Sequence, residues 1–490
     1  MKNRINGSRI EMAKERNPID YVMNPSSVAV VGASQDPLKW GHMIFASIIA
    51  GGFKGNIYPI NPKAEAIEGL KCYPSLRAIP GNVDLVLIVV PAEAVPSVIE
   101  DCGAKGIPAA VIITAGFGET GEAGKKLQDE VVNAARKNNV GFVGPNCMGV
   151  CSSPAKLSAL MVPFLHPKGE VAFVSQSGGY GMQLYLMASN VGVGISKFIS
   201  SGNEACFKGV DYLEYFGNDD SVKVIAMYIE SVREGRRFLK VASEVSQKKP
   251  IVVIKVGVSE AGSKAAMSHT GALAGSDKVY DAAFKQAGII RAADSEEMFD
   301  AIKAFARCPL PQGNRIGITS NSGGICVETS DAADAAGLKI PTFSEERQKE
   351  ILKYIPWFGN PRNPVDLTAT LNMASFLKVP EVIVQDENID GLIMLGLGTS
   401  VIQQLFPTAP KETFVELFKS LNKQIIDSTK KYGKPVIVIN PSADIEADAA
   451  RFLEDNNVPV YMTPERAVKA MAALYRYKQN KDRLKAQQKF

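Results

Sequence analysis

Two short segments of the sequence offer the same chemistry. Ser175-Gln-Ser-Gly-Gly179 and Ser320-Asn-Ser-Gly-Gly324 each close an apolar run and open a helical one. Small residues at a helix start leave several backbone N–H groups free for an oxyanion, and the hydroxyls of Ser177 and Ser322 add donors. With Gly178, Gly179, Gly323 and Gly324 they form two candidate phosphate sites; taken singly, each segment reads equally as an N-cap. A third segment, Val28-Ala-Val-Val-Gly-Ala-Ser34 closing with Gly41, ends the first apolar run and suits a nucleotide-like ligand or a tight strand-to-helix turn. It is not a full GxGxxG.

Ligands of open α/β sheets lie outside the carboxyl ends of the strands. Gly32, Ala33, Ser34, Lys63, Val90, Pro91, Gly116 and Asn146 all fall at such ends in the first 150 residues, so they should surround one crevice. Lys63 is there either a point charge for a phosphate or an ordinary surface lysine.

Three histidines, His42, His166 and His269, are too few for a multi-histidine metal site, and no acidic cluster has metal-ligand spacing. His42 caps or packs in the first ligand loop, and His166 belongs to a turn. His269 stands in the small-residue loop Gly262–Ser276, after the apolar run Ile251–Val256. Long loops of this composition are often functional, but spacing alone leaves His269 open between a surface residue and a nucleophile. Glu230 ends the run Val222–Tyr228 at the same sheet edge. A carboxylate there either orients an imidazole or simply favours a helix N-terminus. Cys147 is a nucleophile or a packing residue, and without a nearby partner in sequence it reads as packing; Trp357 and Phe358 either approach an acyl pocket or pack, and packing is the expectation. No GxxxxGK[ST] is present, so the chain shows no obvious triphosphate site of its own.

These residues need strands and helices to hold them. Ser27–Val31, Asn56–Ile60, Leu85–Val90, Ala110–Thr114 and Gly141–Val143 read as buried strands alternating with helices. So do Val171–Ser175, Val222–Tyr228 and Ile251–Val256, and then Ile316–Ser320, Gly391–Leu395, Pro435–Asn440 and Pro459–Met462. Apolar strands alternating with helices indicate parallel sheets covered on both faces. The fold class is α/β with three Rossmann- or flavodoxin-like domains, over residues 20–150, 165–307 and 314–475, with a linker near Cys308–Asn314. The echo between Val171–Gly179 and Ile316–Gly324 suggests that the second and third share one fold.

Composition narrows the function. Of 490 residues, 46% are hydrophobic and 22% charged, which argues against wholesale disorder. No apolar run approaches the roughly 20 residues that cross a bilayer, so no membrane partner is expected. No signal peptide is visible, and seven cysteines without a CxxC pair read as reduced thiols of a cytoplasmic protein. The net charge of +4 comes from the ends. Residues 476–490 carry six basic side chains against one acid, and residues 1–18 five against two. Solvated basic termini on an acidic body do not suggest a nucleic-acid partner.

The whole pattern resembles the α subunit of ADP-forming acyl-CoA synthetases, the acetate–CoA ligase relatives of succinyl-CoA synthetase. The segment Lys255–Ser276 is its most specific part. Val31–Ser34, Ile60–Lys63, Gly144–Gly149, Val174–Gly178, Ser201–Glu204 and Asn363–Leu367 are further landmarks across about residues 20–475. The resemblance implies a CoA-binding first domain followed by two succinyl-CoA-synthetase-like domains. His269 would be phosphorylated, Glu230 would orient it, and the two Ser-x-Ser-Gly-Gly helix starts would clamp the phosphate. It also implies coenzyme A and a small carboxylic acid as substrates. ADP, ATP and Mg²⁺ would be held mainly by an ATP-grasp β subunit in an α2β2 assembly, because no such region follows residue 475. Two other readings are a non-catalytic CoA or acyl-CoA binding regulator of this fold and an NAD(P)-linked oxidoreductase.

Overall fold

A computed structural model describes residues 16–162, 168–264, 276–368, 370, 372–396, 411–443 and 447–487. The chain divides into two compact units. The first runs to His166 and includes Gly202–Phe207; the second comprises Pro167–Ser201 and Lys208–Phe490.

In the first unit the strands are β1 (Ser27–Val31), β2 (Asn56–Ile60), the short pair β3 (Ala66–Ile67) and β4 (Leu70–Lys71), β5 (Leu85–Ile88), β6 (Ala109–Ile112) and β7 (Gly141–Val143). An antiparallel hairpin, β8 (Gly149–Ser152) and β9 (Leu157–Leu160), follows. The parallel sheet has the order β2-β1-β5-β6-β7. β1, β5 and β6 are buried along their whole length. One face packs Ala29, Val86, Ile88 and Ile112 against Val95, Ile99 and Val131 of the covering helices.

The second unit holds two sheets. β10 (Val171–Ser175), β11 (Ile195–Ser200), β12 (Val224–Ile229), β13 (Ile251–Lys255) and β14 (Ile290–Ala292) pair in the order β14-β13-β12-β10-β11. β15 (Ile316–Ser320), β16 (Val365–Asp366), β17 (Gly391–Leu395), β18 (Val436–Ile439) and β19 (Val460–Tyr461) give β16-β15-β17-β18-β19. Apart from the β3–β4 pair inserted in the first, all three follow one parallel order, with the second strand outside the first and the rest stepping away on the other side. This is the flavodoxin-like winding, whose ligands lie at the carboxyl edge where the order reverses. The six-stranded dinucleotide arrangement of two mononucleotide halves is absent from the described residues, which weighs against the oxidoreductase reading. The echo between Val171–Gly179 and Ile316–Gly324 marks β10 and β15, the first strands of two sheets of equal order.

Three expectations need correcting. The basic residues after 475 are not a solvated tail: Pro464–Gln487 is one helix of 24 residues, with Tyr477 and Leu484 buried. Arg483 donates from Nη2 to the Lys285 carbonyl at 2.6 Å, docking the helix on its neighbour. Trp357 and Phe358 do not pack into a core. They are 90% and 64% exposed, with their rings edge to face at 5.5 Å. Finally, β11, β14 and β16 escaped the sequence pattern. In β11 the reason is Lys197, which is 3% exposed, neutralised by Asp219 and hydrogen-bonded to the Ser221 hydroxyl.

The second and third sheets are tied together by buried charge. Lys303 Nζ donates to Glu454 Oε1 at 2.9 Å and to the Val460 carbonyl at 2.6 Å, over the Tyr461 ring. Arg466 makes a two-pronged contact with Asp300, both distances 2.7 Å. All seven cysteines are free.

Burial alone would raise the Asp219 carboxyl, but hydrogen bonds from Lys197 and Ser221 hold it below its ordinary 3.8. A depressed carboxylate stabilises the fold above the unfolded value and loses that contribution as pH falls through the folded one. Thermal unfolding measured from pH 6 downward should therefore show a steeper loss below about pH 4 in the native protein than in Asp219→Asn. A second expectation concerns Glu454→Ala, which strands Lys303 in the interior. It should cost about 3–5 kcal/mol in denaturant unfolding, whereas surface Glu416→Ala should cost little.

Candidate functional site

In the first unit the strand ends are knitted to one another. Gly32, directly after β1, has φ +93°, a backbone that favours glycine, and its N–H donates to the Ile60 carbonyl at 3.2 Å. Asn61 reaches back from Nδ2 to the Ala33 carbonyl at 2.9 Å, while its Oδ1 accepts the Lys63 N–H. Thr114 donates to the Val90 carbonyl at 2.7 Å, and the Asn146 N–H donates to the Thr114 carbonyl at 2.9 Å. The ends of β1 and β2, and those of β5, β6 and β7, are thus joined to one another.

A cleft of about 390 Å³ opens among them. Gly32, Lys63 and Val90 line it, with Ile60, Leu76 and Val98 supplying apolar wall. Lys63 is exposed at this cleft. Ala33, Ser34, Pro91, Gly116 and Asn146 lie at the same carboxyl edge without lining the cleft. His42 is held by the Ser34 carbonyl at 3.0 Å from Nδ1, the capping role expected of it. Cys147 is buried, with its thiol against the Ile112 carbonyl, and burial pushes it up to about 12, so it packs rather than reacts.

Sequence reasoning missed Glu119 and Asn203. Glu119 Oε1 accepts the N–H groups of Gly116 and Phe117 at 2.6 and 3.1 Å, and Asn203 Nδ2 donates to its Oε2 at 2.6 Å. Burial opposes its charge, yet these bonds hold the carboxyl below its usual range. Asn203 also accepts from Asn146 at 3.3 Å. The landmark Ser201–Glu204 was the available signal: Asn203 lies inside it, far in sequence from the edge it serves.

In the second unit β10 ends at Ser175, and a helix of 13 residues, Gly178–Asn190, begins three residues later. Ser177 is its N-cap but makes no side-chain cap bond, so the end is not closed by its own hydroxyl. Between strand and helix lies Gln176, which joins this turn to Glu230. Its Oε1 accepts the backbone N–H groups of Glu230 and Ser231 at 2.6 and 2.9 Å, and its Nε2 donates to the Ser231 carbonyl at 2.9 Å. The Ser177–Gly179 start and Glu230 are therefore brought together at one edge. Tyr228, two residues before Glu230, is pushed up to about 12 by burial, by Glu230 and by Tyr180, whose ring lies edge-on at 5.4 Å.

The second start, Gly323–Ala335, opens from β15 and not from this sheet. Ser322, its N-cap, likewise makes no side-chain cap bond. The Asp366 carboxylate stands close by, 2.9 Å from where a Cβ on Gly323 would be. A Cβ on Gly179 would meet nothing within 4 Å, and one on Gly324 only the Ser322 hydroxyl at 3.9 Å. Packing does not demand these two glycines; they keep the space before each helix clear. His269 and His166 lie outside the described residues. Among the described residues no three His, Cys, Asp or Glu side chains cluster as metal ligands. No described helix is long and apolar enough to cross a membrane.

Comparison with known proteins places three tandem sheets of this winding in a class of acyl-CoA-handling proteins. Residues 26–153 match the CoA binding domain model, 168–305 the succinyl-CoA ligase like flavodoxin domain, and 316–485 the ligase-CoA domain. The chain is 40% identical over 464 residues to the alpha subunit of acetate–CoA ligase [ADP-forming] II of Pyrococcus furiosus, covering 94% of this chain and 98% of the relative. It is 37% identical to acetate–CoA ligase [ADP-forming] I of Archaeoglobus fulgidus, over 94% of this chain but 64% of that protein. A solved structure of the dinucleotide forming acetyl-coenzyme A synthetase 1 of Ca. Korarchaeum cryptofilum, in complex with phosphate and ADP, superposes with a TM-score of 0.86 and 38% identity, covering 96% of this chain and 98% of that one. The chain belongs to the family of ADP-forming acetate–CoA ligase alpha subunits, within the succinyl-CoA ligase superfamily.

The glycine geometry separates packing from function. Gly41→Ala places a Cβ 2.0 Å from the Gly32 carbonyl oxygen and should destabilise by about 1–3 kcal/mol in thermal unfolding. Gly179→Ala should leave stability equal or raised by up to about 1 kcal/mol, since alanine suits a first helical turn better. If Gly179 only packs, no anion-dependent property should respond to it. If it faces a phosphate, phosphoryl transfer should fall in a protein that is no less stable.

Proposed function

We propose that this chain is the CoA-binding and phosphoryl-relay subunit of an ADP-forming acid–CoA ligase. The observation that carries the reading is the Gln176 clamp. It sets Glu230 beside the open helix start at Ser177–Gly179, on the same sheet edge from which the His269 loop departs after Lys255.

The chemistry follows from these groups. In the ATP-forming direction a phosphate oxygen attacks the thioester carbonyl, the C–S bond breaks, and CoA leaves as the thiol after taking a proton. Backbone N–H groups at Ser177–Gly179, with those of Ser322–Gly324, would bind the phosphate and the developing negative charge. A His269 ring nitrogen then attacks phosphorus in the acyl phosphate. The P–O bond breaks and the carboxylate departs. Glu230 accepts a hydrogen bond from the other ring nitrogen, which fixes the tautomer and favours the phosphorylated ring. The phosphoryl group passes finally to the terminal phosphate of ADP. The covalent relay splits one difficult transfer into two.

The cleft at Gly32, Lys63 and Val90 is the proposed CoA site, with apolar wall for the uncharged part of the ligand and Lys63 for a phosphate. No P-loop pattern or metal cluster occurs among the described residues, and roughly a third of the Archaeoglobus fulgidus relative has no counterpart in this chain. The name alpha subunit borne by the Pyrococcus furiosus relative, of which this chain covers 98%, supports a partner subunit, which we read as an ATP-grasp β subunit that holds the nucleotide in an α2β2 assembly. The regulatory reading fits less well, because the full-length relatives are named as ligases.

The test is to incubate the chain, together with its partner subunit, with γ-³²P-labelled ATP. The protein should gain label that is acid-labile and base-stable, and His269→Ala should remove it. A protein that binds CoA but never labels would overturn the reading and leave the regulator. Lys63→Met should weaken CoA binding about tenfold in calorimetric titration without changing the label formed from ATP.

A further inference from the structure

One wall of the first-unit cleft is a folded insert. Residues 61–63 and 74–76 line the cleft, and the chain between them doubles back as the β3–β4 hairpin. The insert is closed on itself at its base. The Cys72 N–H donates to the Glu65 carbonyl at 2.8 Å, and the Asn61 N–H to the Tyr73 carbonyl at 3.0 Å. The hairpin is also tied to the turn after β1, which supplies Gly32 to the same cleft. Gln35 donates from Nε2 to the Ala66 carbonyl at 2.8 Å. His42 stands in the first turn of the helix Trp40–Ala50. Its Nδ1 lies 3.0 Å from the Ser34 carbonyl and its Nε2 3.8 Å from Glu68 Oε1. One imidazole thus reaches both the ligand turn and the tip of the hairpin.

The turn itself does not call for a glutamate. Glu68 and Gly69 form the two-residue turn of the hairpin at φ +49° and +75°, a left-handed pair that asparagine and glycine suit best. A glutamate there carries a conformational cost, and its carboxylate is the acid within ion-pair reach of the ring among the described residues. The Ser34 carbonyl can only accept, so Nδ1 carries the hydrogen. Nε2 carries a second one only when the ring is a cation. The pair with Glu68 is therefore made by the imidazolium and lost by the neutral ring. Other charged groups belong to the same two segments. Asp36 Oδ1 accepts the Leu38 N–H at 3.1 Å, Lys71 lies 5.4 Å from the centre of the Tyr73 ring, Lys63 lines the cleft, and Lys39 and Glu65 are exposed. β1 and β9, which pack against the helix of His42, carry no charged residue.

We propose that His42 and Glu68 are positioning residues of the coenzyme A cleft. Their ion pair fastens the hairpin tip to the ligand turn and so holds the wall formed by residues 61–63 and 74–76, while neither residue lines the cleft itself. This rests on the reading of the cleft as the CoA site given above. A wall fixed before the ligand arrives leaves less to be ordered on binding, so the closed pair tightens CoA. An imidazole ordinarily takes up its second proton at about pH 6.5. The gain in affinity is present below that range and is lost as pH rises through it.

The experiment is calorimetric titration of the full chain, together with its partner subunit, with CoA from about pH 8 to about pH 6. A phosphate of the ligand titrates in the same range, so each variant is read against the native protein at the same pH. Glu68→Gln should bind CoA about threefold more weakly than the native protein at the acid end and equally at the alkaline end. Glu68→Asn should do likewise while unfolding at the same or a higher temperature, because asparagine suits the turn. A residue that served stability alone would lose affinity and stability together at every pH. His42→Gln joined to Glu68→Gln should bind no more weakly at the acid end than the weaker single variant. The Glu68 side chain is 46% exposed, so its variants keep the test open if His42→Gln fails to fold. Native protein that binds no CoA, or binds it unchanged in Lys63→Met, overturns the reading of the cleft on which the pair depends. Native protein that binds CoA through Lys63, with Glu68 variants that match it at the acid end or differ from it equally at every pH, overturns the role of the pair alone.

Discussion

A parallel strand buried on both faces can present chemistry only where it ends. β1, β5, β10, β13 and β15 are closed to solvent from first residue to last, and helices cover both sides. Everything polar and reachable is forced to the carboxyl edges. There the chain must turn sharply into a helix while its backbone N–H groups are still unpaired. The same constraint acts three times and gives three edges of different character: an apolar cleft with one lysine, a helix start joined to Glu230, and a helix start faced by Asp366.

The edges are held by side-chain amides that copy backbone bonding. Gln176 takes two N–H groups and supplies one donor, as a neighbouring strand would. Asn61 does the same in the first unit, while Asn203 bonds the side chains of Glu119 and Asn146. Such bonds contribute about 1 kcal/mol each to stability. Their larger effect is geometric, since they fix the backbone that carries Glu230 and so limit where its carboxylate can reach.

Much of this was legible in the sequence. The strands that form the sheet centres were found because their residues are apolar throughout, and the two Ser-x-Ser-Gly-Gly helix starts because small residues cluster there. The elements that escaped did so for two physical reasons: burial that depends on partners far away in sequence, and strands too short to show a period. β11 is disguised by Lys197, whose charge is neutralised by Asp219. β14 and β16 are edge strands of three and two residues, too short for any period to show. The helix after 464 looked like a charged tail, because Tyr477 and Leu484 are buried only once that helix docks. Glu119 was invisible for a related reason. A carboxylate three residues beyond Gly116 is ordinary in a list of letters and becomes notable only when its bonds are seen.

Glu119 has a consequence for what can bind at its edge. Its carboxylate already occupies the two N–H groups of Gly116 and Phe117, and Asn203 helps to keep it charged. The protein supplies its own anion to that turn. A phosphate arriving there would not fill a vacancy but displace an acceptor of like charge, an exchange with little net gain and some repulsion. The Thr114–Phe117 corner is thus closed to anions while remaining open to neutral groups. A long ligand with charge at one end and amides along its length would be read in one orientation only.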